Sequence, residues 1–257
     1  TLVHDDVLDA APVRRGQPTV FAASGRGQAV AVGDLLFSRA FAELALPNGS
    51  SASRPGPSGP GREPGGPDQP LVAILSRSCV LLALGELAQR NDAFDTSVTE
   101  ERYFERCRLK TAQLFECACR LGRVASGLPG EQALGAFGEE IGLAFQLLDD
   151  VLDVTGPVER TGKARGTDLL DGTVNLPLIL AARRDPEIAA AGLRGLDPEG
   201  AEALCEKIAA TGVLDEVRAR ARGGVERAKA ILAESELGEA DGKLLALVAD
   251  GVVERYS

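Results

Sequence analysis

The pentapeptide Asp-Asp-Val-Leu-Asp occurs twice, as Asp5-Asp6-Val7-Leu8-Asp9 and as Asp149-Asp150-Val151-Leu152-Asp153. On a helix, residues i and i+4 share a face, so Asp5 with Asp9, and Asp149 with Asp153, each project two carboxylates to one side. Three like charges in one turn repel, and hard divalent cations relieve the repulsion. Mg²⁺ takes a few carboxylates and fills its remaining positions with water and phosphate oxygens. One such cluster reads equally well as a solvated acidic helix end. Two copies weigh differently, because each follows an apolar stretch, Leu2-Val3 and Phe145 with Leu147-Leu148. Acids emerging from a buried wall without counter-ions are strongly disfavoured by desolvation. A metal cluster shared by the two motifs is the economical expectation.

Cations stand at matching places: Arg14-Arg15-Gly16 beyond the first cluster, Lys110-Thr111 among apolar neighbours, and Gly162-Lys163 beyond the second. Arginine offers forked donors and lysine a mobile point charge, which suits a diphosphate already bridged by metal ions. Other chemistries lack their parts. A single histidine, His4, leaves no material for a catalytic triad or a histidine-rich metal centre. A formal net charge of -10 argues against a nucleic-acid binder. Cys117 and Cys119 read as buried thiols, and five unpatterned cysteines with no leader pattern at the start point to a reducing cytoplasm.

The elements that must position these groups read as helices. Leu71–Arg90, Glu100–Leu121, Gln132–Val154, Thr173–Arg184, Pro198–Ala210, Leu214–Ala233 and Ala240–Tyr256 repeat apolar residues at three and four spacing. Ser97 and Glu100 have capping-box spacing, and Ile141, Phe145, Leu148 and Leu152 form one stripe. No alternating run of strand length competes, so the class is all-α, a bundle with sites made by inward-projecting side chains. Leu71 to Ala88 is the most apolar stretch, but Arg77 and Glu86 interrupt it, so it reads as a core helix and not a membrane span. Residues 47–70 concentrate Pro, Gly and Ser and read as a flexible surface loop; Pro157 and Gly162 mark a second break. The chain opens at Thr1 inside what reads as the end of a helix, as though interior to a longer chain.

The segments LVHDDVLDAAPVRRGQPTV, LKTAQLF, FQLLDDVLDVTG, TGKARGTDL and LPLIL, in this order, resemble the trans-polyprenyl diphosphate synthases along nearly the whole length outside the Pro/Gly/Ser loop. The resemblance implies one polyprenyl synthetase domain over residues 1–257, the isoprenoid synthase helical bundle, three Mg²⁺ ions, and condensation of isopentenyl diphosphate with an allylic diphosphate. It implies that Asp5 and Asp9 bind metal and that Asp6 supports them and orients neighbouring cations. Asp149 takes the third metal, with Asp150 and Asp153 assisting through water. By the same resemblance Arg14, Lys110 and Lys163 hold the allylic diphosphate, Arg15 holds isopentenyl diphosphate, and Thr111 and Gln146 lie near the reacting carbons. A homodimer is implied too, with the apolar segment Leu71–Leu87 at its contact.

The chain departs from the family pattern in two respects. The family carries a glycine-lysine-arginine motif upstream of the first cluster, a region before Thr1, which leads to the expectation that residues 1–257 alone elongate poorly. In DGTVNLP, Thr173 stands where the family commonly has lysine. The RRGQPT context leans toward a medium or long product, or geranylgeranyl diphosphate. A class I terpene cyclase, a non-catalytic partner subunit and an inactive fragment stay open as alternatives at this level.

Overall fold

The computed structural model describes residues 2–14, 16–45, 69–156 and 165–254. The Pro/Gly/Ser-rich loop (residues 46–68), the break after Gly156 (residues 157–164), and the candidate site residues Arg15 and Lys163 lie outside them. The chain divides into two compact units, Thr1–Leu75 and Ser76–Ser257, the division falling inside one long helix.

In the first unit, α1 (Leu2–Leu8) leads into a two-residue hairpin, β1 (Val13–Arg14) and β2 (Gln17–Pro18), with Val13 opposite Pro18 and Arg14 opposite Gln17. This hairpin is absent from the all-helical reading, because strands of two residues leave no alternation in the sequence. It feeds α2 (Val20–Ala45), a further helix the apolar spacing did not single out, which is broken at Gly25. Thr19 starts α2: its hydroxyl accepts from Ala22 N at 3.0 Å and donates to Ala11 O at 2.6 Å. The sole histidine is used structurally, with His4 Nε2 3.1 Å from Asp34 Oδ1 on α2.

The second unit begins within α3 (Gln69–Asn91) and continues through α4 (Glu100–Cys107), a π-helical turn (Arg108–Ala112), α5 (Gln113–Ser126) and α6 (Glu131–Thr155). It ends with α7 (Thr167–Leu170), α8 (Leu176–Arg184), α9 (Pro186–Ala190), α10 (Pro198–Ala210), α11 (Val213–Ala233) and α12 (Glu239–Glu254). The expected helix Glu100–Leu121 thus exists with a π turn in its middle. Its cap is Thr99, whose hydroxyl accepts from Arg102 N at 3.2 Å; Ser97 turns to Asp95 instead, at 2.6 Å. The helix expected from Thr173 starts later, at Leu176, because Asn175 takes the cap position and accepts from Leu178 N at 3.1 Å.

α6 is the central helix of this unit, packed between α5 and α11. Its deeply buried stripe is Leu134, Phe137, Ile141, Ala144, Leu148, Val151 and Val154, the three-and-four spacing of a core face. Phe145 and Leu152, expected on that stripe, are only half-buried; Phe145 packs tilted against Phe115 of α5, ring centroids 5.5 Å apart. α3 is less a core helix than its composition implies. Ser78, Gly85 and Ala88 are buried, whereas Val80, Leu84 and Leu87 are 57%, 49% and 58% exposed. By length and composition, Pro70–Asn91 is long and apolar enough to cross a membrane. All five cysteines are unpaired, three of them buried, and burial pushes the Cys107 thiol up to about 12.

Candidate functional site

The first acidic cluster closes α1. Asp5 is half-buried, Asp6 buried and Asp9 exposed. Asp9 N donates to Asp5 O at 2.8 Å and Ala11 N to Asp6 O at 2.9 Å, which ends the helix immediately below the acids. Arg14 Nε donates to Asp6 Oδ1 at 2.7 Å. The hairpin therefore turns Arg14 back onto the cluster.

The second cluster occupies the last two turns of α6, with Asp149 exposed, Asp150 buried and Asp153 half-buried. Asp150 is 2% exposed and both its oxygens are engaged by protein donors. Gln146 Nε2 donates to Oδ1 at 2.7 Å, while the Tyr103 hydroxyl at 2.6 Å and Leu176 N at 3.3 Å donate to Oδ2. The expected water-mediated service to a metal does not suit a carboxylate so enclosed; its partners make it a structural hub. Asp153 faces α7, accepting from Asp168 N at 3.3 Å, and Asn175 Nδ2 donates to Asp168 Oδ2 at 3.3 Å. Asp168 and Asn175 have no role in the sequence expectations, although GTDL and the N of DGTVNLP are visible there.

Burial first, and the Asp168 carboxylate second, raise the Asp150 and Asp153 carboxyls well above the usual range. The end of α6 thus concentrates more negative charge than it can comfortably ionise, at a helix C-terminus whose dipole adds to the repulsion. An all-oxygen donor set with excess negative charge fits a hard cation such as Mg²⁺. Among the described residues no three His, Cys, Asp or Glu side chains gather closely enough to chelate an ion alone. A cation here would take its remaining ligands from water or phosphate oxygens, the habit of Mg²⁺.

Lys110 and Thr111 sit on the π turn. A widened turn of this kind is rare and occurs mostly at functional sites. Two glycines explain how it is accommodated. A Cβ at Gly85 of α3 would lie 2.6 Å from Lys110 N, and one at Gly142 of α6 would lie 2.5 Å from Ala112 Cα. The turn is held between two helices that approach at glycines. Its side chains then diverge. Lys110 Nζ reaches Glu86 Oε2 of α3 at 2.6 Å, and Arg90 Nε contacts Glu86 Oε1 at 2.9 Å. The Thr111 hydroxyl donates to Gln146 Oε1 at 2.6 Å, so Thr111, Gln146, Asp150 and Tyr103 form one continuous chain. Neither Glu86 nor Tyr103 stands out in the sequence, since a glutamate in an apolar helix and a tyrosine on an apolar face carry no site signature. Thr173, in the usual lysine position, has its hydroxyl 3.5 Å from Gln89 Nε2.

Comparisons with known proteins agree with this architecture. The family model described as polyprenyl synthetase matches residues 1–207. Heptaprenyl diphosphate synthase component 2 of Geobacillus stearothermophilus is 34% identical over 248 residues, 95% of this chain and 72% of that protein. The crystal structure of polyprenyl synthase from Caulobacter crescentus, complexed with calcium and isoprenyl diphosphate, superposes with a TM-score of 0.84 at 33% identity, covering 100% of this chain and 74% of that one. Heptaprenyl diphosphate synthase from Staphylococcus aureus gives a TM-score of 0.85 at 27% identity, covering 100% and 76%. Helices, aspartate clusters and relatives converge: the chain belongs to the polyprenyl synthetase family and is an enzyme of the prenyltransferase type.

Proposed function

We propose that the protein condenses isopentenyl diphosphate with an allylic diphosphate to give a longer polyprenyl diphosphate. The observation that carries the reading is the π turn, whose Thr111 bonds Gln146 on the helix whose next two turns bear Asp149 and Asp153, while its Lys110 turns to Glu86 of α3. Asp5 and Asp9, and likewise Asp149 with Asp153, are the proposed Mg²⁺ ligands, three ions in all. The calcium and isoprenyl diphosphate of the Caulobacter relative support a divalent metal with a diphosphate. Bound Mg²⁺ would neutralise the departing pyrophosphate as the allylic C–O bond breaks. Lys110 and Lys163 bind the allylic diphosphate, Arg15 the isopentenyl diphosphate, and Arg14 stays oriented by Asp6. Apolar helix walls exclude water from the allylic cation, and no protein nucleophile is needed, which suits a chain with one histidine.

Turnover with both diphosphates and Mg²⁺, product chains resolved by chromatography, tests this. A charge-assisted contact is worth about 1.5 to 3 kcal/mol, so Lys110→Ala and Lys163→Ala should each weaken allylic binding by roughly tenfold or more. Unchanged allylic affinity in both variants would remove the assignment. For assembly we propose a homodimer that covers the exposed stripe of Val80, Leu84 and Leu87. Leu84→Asp should yield monomers by light scattering if that stripe is the contact. Five unpaired thiols accord with a cytoplasmic setting.

A further inference from the structure

The chain of hydrogen bonds from Tyr103 to Thr111 has a direction, and the direction decides what Thr111 shows to its surroundings. Asp150 Oδ2 accepts from the Tyr103 hydroxyl and from Leu176 N, and Oδ1 accepts from Gln146 Nε2. Asp150 is used only as an acceptor by these three donors, and Gln146 turns its NH₂ toward it. Its oxygen then faces Thr111, whose hydroxyl proton is drawn to it at 2.6 Å. What remains exposed on Thr111 is a pair of oxygen lone pairs. With the amide reversed, Gln146 would donate to Thr111, and the hydroxyl proton would point outward.

We infer that Tyr103 and Asp150 are positioning residues that lock the Gln146 amide so that Thr111 presents an acceptor, and not a proton, beside Lys110. The inference rests on the proposed condensation, in which positive charge develops on the allylic carbons near Thr111. An oxygen lone pair stabilises that charge, an outward O–H opposes it, and a dipole fixed before reaction needs no reorganisation. Asp150 thereby has a function that requires no contact with metal. The aspartate expected to assist a metal through water sets the polarity of the site from behind.

The test is a reversal and its repair. In Asp150→Asn the new side-chain amide can keep its oxygen on Tyr103 and Leu176 N while offering NH₂ to Gln146, which reverses the Gln146 amide. Adding Gln146→Glu supplies a group that accepts at both ends, which restores the original direction. Asp150→Asn should therefore lower kcat about ten- to a hundredfold, with both KM values within roughly twofold. The double variant Asp150→Asn/Gln146→Glu should recover at least about fivefold of that loss. A double variant no faster than Asp150→Asn overturns the proposal, as does a loss appearing only in KM. Should Asp150→Asn fail to fold, the native chain decides through its own spectra, in which a contact of the Gln146 NH₂ with Thr111 overturns the proposal. A structural readout is independent of turnover. In nuclear Overhauser spectra the Gln146 NH₂ should contact Thr111 in Asp150→Asn and not in the native chain; the same contact in the native chain overturns the inference. A native chain inactive with both diphosphates and Mg²⁺ would instead sink the condensation reading, leaving the amide geometry to be judged from the spectra.

Discussion

The two copies of Asp-Asp-Val-Leu-Asp have the same letters and different physics. In both, the second aspartate is the buried one, Asp6 at 5% exposure and Asp150 at 2%. The first is matched by a charge, Arg14, delivered by a hairpin eight residues on. The second is matched by neutral donors, two of them from elements distant in sequence: Tyr103 of α4, Gln146 one turn earlier, and the backbone of Leu176. The third aspartates differ as well, Asp9 exposed past the end of a short helix and Asp153 half-buried against Asp168. A motif fixes spacing; its neighbours fix how the charge is balanced.

The largest expected effect tests what the copies share. Asp5→Ala and Asp149→Ala should each reduce Mg²⁺-dependent condensation by roughly a hundredfold or more, a few kcal/mol of lost charge stabilisation. Native rates in either variant, or in the native chain with metal chelated, would break the equivalence of the two clusters.

Next comes the difference in neutralisation. Arg14→Ala leaves the Asp6 carboxylate buried without its counter-ion. Removing one partner of a fully buried pair costs about 3 to 5 kcal/mol, but Arg14 is 36% exposed, and solvent screening reduces this to roughly 1 to 2 kcal/mol. Urea denaturation should show that loss, and Arg14→Lys should recover part of it. An Arg14→Ala chain as stable as the native one would mean the ion pair does not set the first cluster's geometry.

A third expectation concerns pH and belongs to the second cluster. A carboxyl whose pKa is raised on folding binds more protons in the folded than in the unfolded state between its two pKa values, so its contribution to stability falls as pH rises through that window. For Asp153 the window runs from the ordinary carboxylate range up to about 8. In chelated protein, Asp153→Asn should raise Tm at pH 8 by roughly a few degrees, and the gain should fade toward acid pH, below the ordinary carboxylate range, where Asp153 is protonated in both states. A lower Tm for the variant at pH 8 would show that the charge at the end of α6 is already compensated.

The smallest effect concerns Lys110. The Glu86 carboxylate competes with any diphosphate for its ammonium. Glu86→Gln should lower the allylic KM by roughly two- to threefold, within the small range of partly exposed ion pairs. A KM that rises instead would make Glu86 a support for Lys110 and not its competitor.

The helices were legible in the sequence because their cause is local. Apolar spacing, Pro198 at the start of α10 and Asp197 as its cap all act within a few residues, and α6 and α11 lie within a residue of their expected ends. The acidic clusters were legible for the same reason, since i and i+4 share a face whatever surrounds them. The π turn was not, because the room that Lys110-Thr111 needs is left by Gly85 and Gly142, far away in sequence. Asp150 and Asp149 cannot be told apart by type or spacing, yet one is enclosed by three donors and the other exposed. The sequence by itself determined which groups exist and which share a helix face, because a helix converts spacing into direction. Tertiary structure alone decided which carboxylates are enclosed by protein donors and which reach solvent, because burial and hydrogen-bond partners come from helices brought together only by packing.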